Sequence, residues 1–265
     1  MTLKIVVANQ RGGVGKTITA MVLSLYLALR GLKTLLIDVD SQGSVGTILQ
    51  LQPEHYLADF IIRRFNLSVC TTKVSLNLDV MCSDRRTAEA ERHVANELGR
   101  ERILENLLSQ YDAQYDAVVL DVGPNLGQLQ TCAMVYAQNV LIPVNMDLVS
   151  VSGAAACVQF CEMLTKALHS RVQPIAFVPT MVDRRIGMTK TVQDLLADVS
   201  TRLEIPILPE IRTDATVGRA TQAGMFLFDF DPACKAVTDY AAAFDKLMEI
   251  LDGSTTAQTA AATRP

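Results

Sequence analysis

Asn9-Gln10-Arg11-Gly12-Gly13-Val14-Gly15-Lys16-Thr17 follows an apolar run, Leu3-Lys4-Ile5-Val6-Val7-Ala8, and an amphipathic helical pattern begins at Lys16. A strand, a glycine turn and a helix start, in that order, gather a row of backbone N–H groups around one point. An anion suits that point, because a helix N-terminus carries positive dipole charge and donors without intrahelical acceptors. Glycine is needed where a Cβ would keep the backbone from closing on a phosphate. Lys16 is then placed to reach the β- and γ-phosphates of a nucleotide and the Thr17 hydroxyl to bind Mg²⁺, with Gly12, Gly13, Val14, Gly15 and Ile18 completing the cradle. The competing reading is a bare glycine turn, which leaves Lys16 and Thr17 unexplained. The common G-x-x-x-x-G-K-[ST] spacing is not met, since Gln10 stands where its first glycine belongs. The run fits a variant in which a basic residue precedes G-G-x-G-K-[ST].

Around this motif, short β-branched runs alternate with longer helical patterns. Strands are predicted at 3–8, 34–38, 76–82, 117–121, 140–144, 174–178 and 205–208, and helices at 16–30, 86–110, 125–137, 151–168, 188–203, 214–223 and 233–251. Several strands lack polar alternation, as expected where both sheet faces are covered. The fold class that follows is α/β: a single P-loop NTPase domain over residues 1–252, with a mostly parallel twisted sheet and helices on both faces. Residues 253–265, rich in Ala and Thr, are expected to form a disordered tail. In such sheets ligands bind beyond the carboxyl ends of the strands.

Carboxylates stand at those ends. The second strand closes Leu36-Ile37-Asp38-Val39-Asp40, and the strand at 117–120 leads into Asp121-Val122-Gly123-Pro124. Mg²⁺ takes oxygen ligands and keeps several waters, so one or two carboxylates suffice. Thr17, Asp40 and Asp121 are the candidate Mg²⁺ residues, with Asp121 in the Walker B role. Asp40 is placed to orient or polarise an attacking water, and Asp38 to hold the phosphate loop or a metal-bound water. The alternative for each is an N-cap or turn aspartate, which strand-to-helix loops favour.

Composition sets bounds. The 265 residues carry 24 Lys and Arg against 28 Asp and Glu, a net charge of −4, so nucleic-acid binding would need a local basic patch. The six cysteines form no C-x-x-C pair, which fits a reducing cytosol, and Cys157 and Cys161 read as two buried thiols on a helix. The three histidines are isolated and read as surface or core residues. No apolar run is read as long enough for a membrane span, and Met1-Thr2-Leu3-Lys4 does not read as a signal peptide.

Taken together, N-Q-R-G-G-V-G-K-T, L-L-I-D-V-D-S-Q-G, Y-D-A-V-V-L-D-V-G-P-N-L-G, V-L-I-P-V, F-V-P-T-M-V-D-R-R, I-R-T-D-A and G-M-F-L-F-D-F-D-P resemble the ParA/Soj/ParF group of deviant Walker ATPases, from Lys4 to about Leu251. These proteins partition plasmids and chromosomes. The resemblance implies an ATP- and Mg²⁺-dependent cycle. ATP favours a face-to-face homodimer, the dimer binds DNA without sequence preference, and a centromere- or cargo-bound adaptor protein stimulates hydrolysis. It also implies that Lys16 contacts phosphate, Thr17 binds Mg²⁺, Asp40 is the hydrolytic aspartate, and Arg11 reaches the partner copy's phosphates. Thr180 to Asp183 and the loop around Pro209 would border the adenine. The chain departs from the group's pattern at Arg11, usually Lys; at Ser41, usually Pro; and at Gly123 and Asn125, usually Pro and Ser. Arginine can still grip phosphate with two N–H groups.

DNA contact would need clustered cations, and Arg184, Arg185, Arg212 and Arg219 are the candidates, dispersed solubilising charge being the alternative. The MinD relatives end in a basic amphipathic membrane helix. The segment 239–252 is acidic on balance, so no membrane attachment is expected, and the expected location is the cytoplasm, associated with the nucleoid. No operator-reading helix-turn-helix is expected either. Two other functions remain: an ATP-binding positioning scaffold for a non-DNA cargo, with slow or little hydrolysis, and an iron–sulfur P-loop reductase, for which Cys132 would need a second ligand.

Overall fold

The computed structural model describes residues 2–262, and the side chains of 254–262 fall outside the description. In chain order the elements are β1 (Leu3–Val7), α1 (Lys16–Leu29), β2 (Thr34–Asp38), α2 (Ser44–Ile48), α3 (Leu57–Arg63), α4 (Leu67–Cys70), β3 (Thr72–Ser75), β4 (Leu78–Met81), α5 (Thr87–Ala95), α6 (Ile103–Leu108), β5 (Ala117–Asp121), α7 (Gln128–Ala137), β6 (Asn139–Asn145), α8 (Leu148–Leu168), β7 (Gln173–Thr180), α9 (Gly187–Leu203), α10 (Ala215–Ala223), α11 (Leu227–Phe230) and α12 (Lys235–Ala262). The segment 253–265, read as a disordered tail, lies outside the described residues apart from the backbone of α12, which runs to Ala262.

The seven strands form one sheet in the order β3-β4-β2-β5-β1-β6-β7. All neighbours are parallel except β3 and β4, which form an antiparallel edge. Successive strand residues face opposite sides, and that alternation divides the core in two. Val6, Leu35, Ile37, Val118 and Leu120 face α3 and α5 to α9. Ile5, Val7, Leu36, Ala117 and Val119 face α1 and α10 to α12. Each fully buried Leu or Ile contributes about 1.5–3 kcal/mol relative to an exposed one, so both faces hold the sheet rigidly under the loops that follow its strands.

Three differences from the sequence reading have local causes. The helix predicted over 86–110 is broken: α5 ends at Ala95, and Gly99, with a left-handed φ of 66°, turns the chain before a short 3-10 turn leads into α6. The strand predicted at 205–208 is an irregular strip laid along the outer edge of β7, bonded through Phe177 N to Pro206 O and Leu208 N to Phe177 O. Pro206 and Pro209 lack the N–H groups that a continuous ladder needs, so only isolated bridges form, at Phe177–Ile207 and Val182–Arg212. The strand predicted over 76–82 is present as β4 over the shorter span Leu78–Met81, and a strand that was not predicted, β3, pairs with it antiparallel through a turn at Leu76 and Asn77. In addition, α8 has the length and apolar composition of a membrane span, contrary to the sequence reading. Its Val151, Ala154, Cys157, Val158, Cys161 and Leu164 are buried in the core, however.

Candidate functional site

Strand register builds the site. Val7 and Asp38 both lie level with Asp121 across three adjacent strands, so the loops after β1, β2 and β5 leave the sheet side by side. The loop after β1 makes its turn at Gly13 (φ 75°) and Gly15 (φ 82°), a region closed to most side-chain-bearing residues. Gly15 caps α1 without a side-chain hydrogen bond. The N–H groups of the first turn of α1 therefore face the loop's mouth, and Arg11, Gly12 and Gly13 lie exposed around it. Ile18 turns its side chain into an apolar groove with Met21, Val217 and Phe226, so only its backbone serves the cradle.

Lys16 is buried, and its Nζ donates to the Arg11 carbonyl at 2.9 Å, curling the side chain back over the loop. Burial lowers its pKa, and the nearby Asp121 and Asp40 pull it partly back up. Asp121 is fully buried, and neither carboxylate oxygen has a well-formed hydrogen bond among the described residues, the Thr17 hydroxyl being the donor that faces it. Burial raises its pKa, while the facing Thr17 hydroxyl and Lys16 lower it in part. An unsatisfied buried carboxylate is costly. Beside a threonine hydroxyl and a phosphate cradle it is the donor set that Mg²⁺ would complete.

Asp38 serves a different end. Its Oδ1 accepts from Asp40 N and its Oδ2 from Val45 N, both at 3.0 Å, so both of its oxygens tie down the loop after β2. Asp40 stands half-buried at the mouth, its Oδ1 accepting from Gln42 N at 3.0 Å. Of the two, Asp38 has both oxygens engaged by backbone N–H groups and Asp40 only its Oδ1.

Residues that the sequence reading did not single out hold the loop in shape. Buried Asn9 donates through Nδ2 to the Pro143 carbonyl at 2.7 Å and accepts from Arg11 N at 2.9 Å, stitching the loop to β6. Gly153 of α8 lies against the same point: a β-carbon there would stand 2.6 Å from Asn9 Oδ1 and 3.2 Å from Arg11 N. Gly153→Ala should therefore break the Asn9 stitch, costing about 1–3 kcal/mol of stability and at least about tenfold in MgATP affinity. Denaturant titration and calorimetry would check both, and unchanged affinity would show that the loop tolerates a shifted α8. Asn9 was visible as part of the motif, whereas nothing in the run Ser152-Gly153-Ala154 signals its neighbour.

Thr180 touches the loop itself. It is buried under the loop, its Oγ1 donating to the Val14 carbonyl at 2.9 Å, and so braces the turn of the loop from below. A cleft of about 780 Å³ opens just beyond it, lined by Val182, Asp183, Pro209, Glu210 and Thr213 together with Arg184, Arg185 and Arg212. Pro209 is thus where a base could rest. The three arginines line this cleft, so they do not form a separate outer patch, and each is paired. Arg184 meets Glu210 at 2.6 Å, Arg185 meets Asp183 at 2.6 Å, and Arg212 meets Asp239 through two bonds of 2.6 and 2.7 Å. The Arg185 pair holds the Asp183 carboxyl down at about 2. Arg219 donates to the Thr216 hydroxyl at 2.8 Å, a neutral acceptor that leaves its charge unmatched by that bond. Cys132 is buried and its thiol donates to the Arg100 carbonyl, turned inward from any exposed edge.

A family model described as an AAA domain matches residues 2–174. The chain is 28% identical over 238 residues to the chromosome-partitioning ATPase Soj of Treponema pallidum, covering 89% of this chain and 93% of that protein. It is 30% identical over 190 residues to the chromosome-partitioning ATPase Soj of Thermus thermophilus, covering 72% and 74% respectively. Among solved structures, an ATP complex of Cyanothece McdA superposes with a TM-score of 0.82 at 20% identity, over 95% of this chain and 96% of that one, a likeness of fold.

Proposed function

The chain belongs to the ParA/Soj group of P-loop ATPases, and from that premise we propose that it is an ATP-driven partition or positioning switch. The observation that carries this reading is the buried, unpaired Asp121 facing Thr17 and Lys16 beneath a cradle of backbone donors. ATP places its phosphates on the loop from Gly12 to Ile18, with its base against Pro209. Thr17 and Asp121 would hold Mg²⁺, which when bound would neutralise charge on the phosphoryl group under attack and on the departing ADP. Asp40 orients the attacking water, and Lys16 steadies the β- and γ-phosphates.

A second copy of the chain closes over the nucleotide. Arg11 is exposed at the mouth with no ion-pair partner among the described residues. Following β5, β6 and β7, exposed Leu126 and Ile186 in the loops and exposed Leu148, Val149 and Met188 in the first turns of α8 and α9 offer apolar surface suited to a partner. The ATP-bound dimer, in the cytoplasm and on the nucleoid, holds DNA without sequence preference until a cargo-bound adaptor stimulates hydrolysis. Calorimetry with MgATP, followed by single-turnover hydrolysis with and without DNA, tests the reading. Absence of nucleotide uptake by folded protein would end it.

The second reading, a positioning scaffold for a non-DNA cargo, is favoured by one observation: Arg184, Arg185 and Arg212 are each neutralised by a carboxylate. On the DNA reading, Arg219→Ala should weaken salt-dependent DNA retention in ATP more than Arg212→Ala, whose charge is already matched by Asp239. Removing one cation that binds a DNA phosphate should flatten the dependence of affinity on salt by about one power of concentration. Equal retention by both variants and the parent would remove these two residues from the interface, and no retention by the parent would favour the scaffold.

A further inference from the structure

Asp40 rests against bare backbone. Its Cγ and Oδ2 lie 3.1 Å, and its Oδ1 3.3 Å, from the point where a β-carbon on residue 123 would stand. Register explains the meeting: Asp38 and Asp121 are level on β2 and β5, and Asp40 and Gly123 are each two residues further along. Gly123 does not have a left-handed φ, so no turn demands a glycine there. The following Pro124 biases residue 123 towards extended backbone, which sets the direction a side chain would take. The three nearest atoms it would meet all belong to the Asp40 carboxylate.

We propose that in this chain, which has Gly where the group usually has Pro, Gly123 is a positioning residue for ATP hydrolysis: its missing side chain is the seat into which the Asp40 carboxylate has settled and from which it addresses the attacking water. The proposal rests on the role given to Asp40 above. Asp40 is not free to yield without consequence. Its own N–H is held by Asp38 Oδ1 and its Oδ1 accepts from Gln42 N, so a methyl group at 123 moves a tethered carboxylate by a few tenths of an ångström or breaks the Gln42 bond. On the function proposed above, phosphate, metal and base fall to Lys16, Thr17, Asp121 and Pro209, and Asp40 is left to the water. Displacement of a group that orients a nucleophile lowers the rate of the chemical step and leaves ground-state binding intact.

The test compares Gly123→Ala, Gly123→Ser, Asp40→Ala and the Asp40→Ala/Gly123→Ala pair by single-turnover hydrolysis, MgATP calorimetry and thermal melting. Gly123→Ala should hydrolyse ATP about tenfold more slowly with parental affinity and melting temperature, and Gly123→Ser should follow it. Adding Gly123→Ala to Asp40→Ala should lower the residual rate no further. Parental hydrolysis in both Gly123 variants would overturn the proposal. So would an equal fall in the Asp40→Ala background, or a rate loss matched by loss of affinity and stability. A parental rate in Asp40→Ala itself would instead overturn the reading of Asp40, and this one with it.

Discussion

Asp40→Ala should bind MgATP as the parent does and lose hydrolysis by about two to four orders of magnitude. The separation follows from how the loop after β2 is built. Asp38, not Asp40, holds the loop's backbone, through Asp40 N and Val45 N. Removing the Asp40 carboxylate forfeits one hydrogen bond, from Gln42 N, worth about 1 kcal/mol. Lys16 and Asp121 lie near enough to feel Asp40's charge, so the carboxylate stands at the place where γ-phosphate chemistry would occur. With hydrolysis blocked and binding kept, the variant should accumulate as an ATP dimer, seen by light scattering with MgATP. Normal turnover would show that another group directs the water.

Lys16→Ala should fail at the earlier step. The side chain is buried over the loop with its ammonium on the Arg11 carbonyl, a position from which it meets phosphate without reorganising. A charge-assisted contact of this kind is worth about 1.5–3 kcal/mol, so MgATP affinity should fall between about tenfold and about a hundredfold. Apo stability should change little, because burial already disfavours the charged amine. Calorimetry and denaturant titration of one preparation separate the two effects. Unchanged affinity would mean that the backbone amides alone hold the nucleotide.

Much of this site can be read along the chain, for a physical reason. A phosphate cradle is local: its glycines, lysine and threonine are consecutive, and the period of the flanking residues announces strand and helix. The carboxylates at the ends of β2 and β5 could be read because parallel register brings strand ends level. Asp38 and Asp40 look alike in sequence, two residues apart; only the backbone donors around Asp38 tell the anchor from the residue left to act. Gly153 and Gly123 matter through what lies beside them from distant parts of the chain, and a single sequence does not reveal such neighbours. The strip 205–213 misled in an informative way. Its residues do pair with β7, and its prolines stop it from being a strand. Arg184 and Arg212 read as part of a basic patch because their neutralising partners, Glu210 and Asp239, are distant in sequence, whereas the partner of Arg185, Asp183, stood two residues away.

The tie made by Asp38 reaches beyond the anchoring of one loop. A single carboxylate closes residues 38 to 45 into a hoop whose circumference is fixed. Such a hoop can tip but cannot stretch. Gln42 at its outer rim and Asp40 at its inner rim are coupled by the Gln42 N–H bond, so pressure on the outside is felt inside without any relay through the core. A docking protein that leaned on that rim would act on the timing of bond cleavage directly, as a thumb acts on the far end of a short lever.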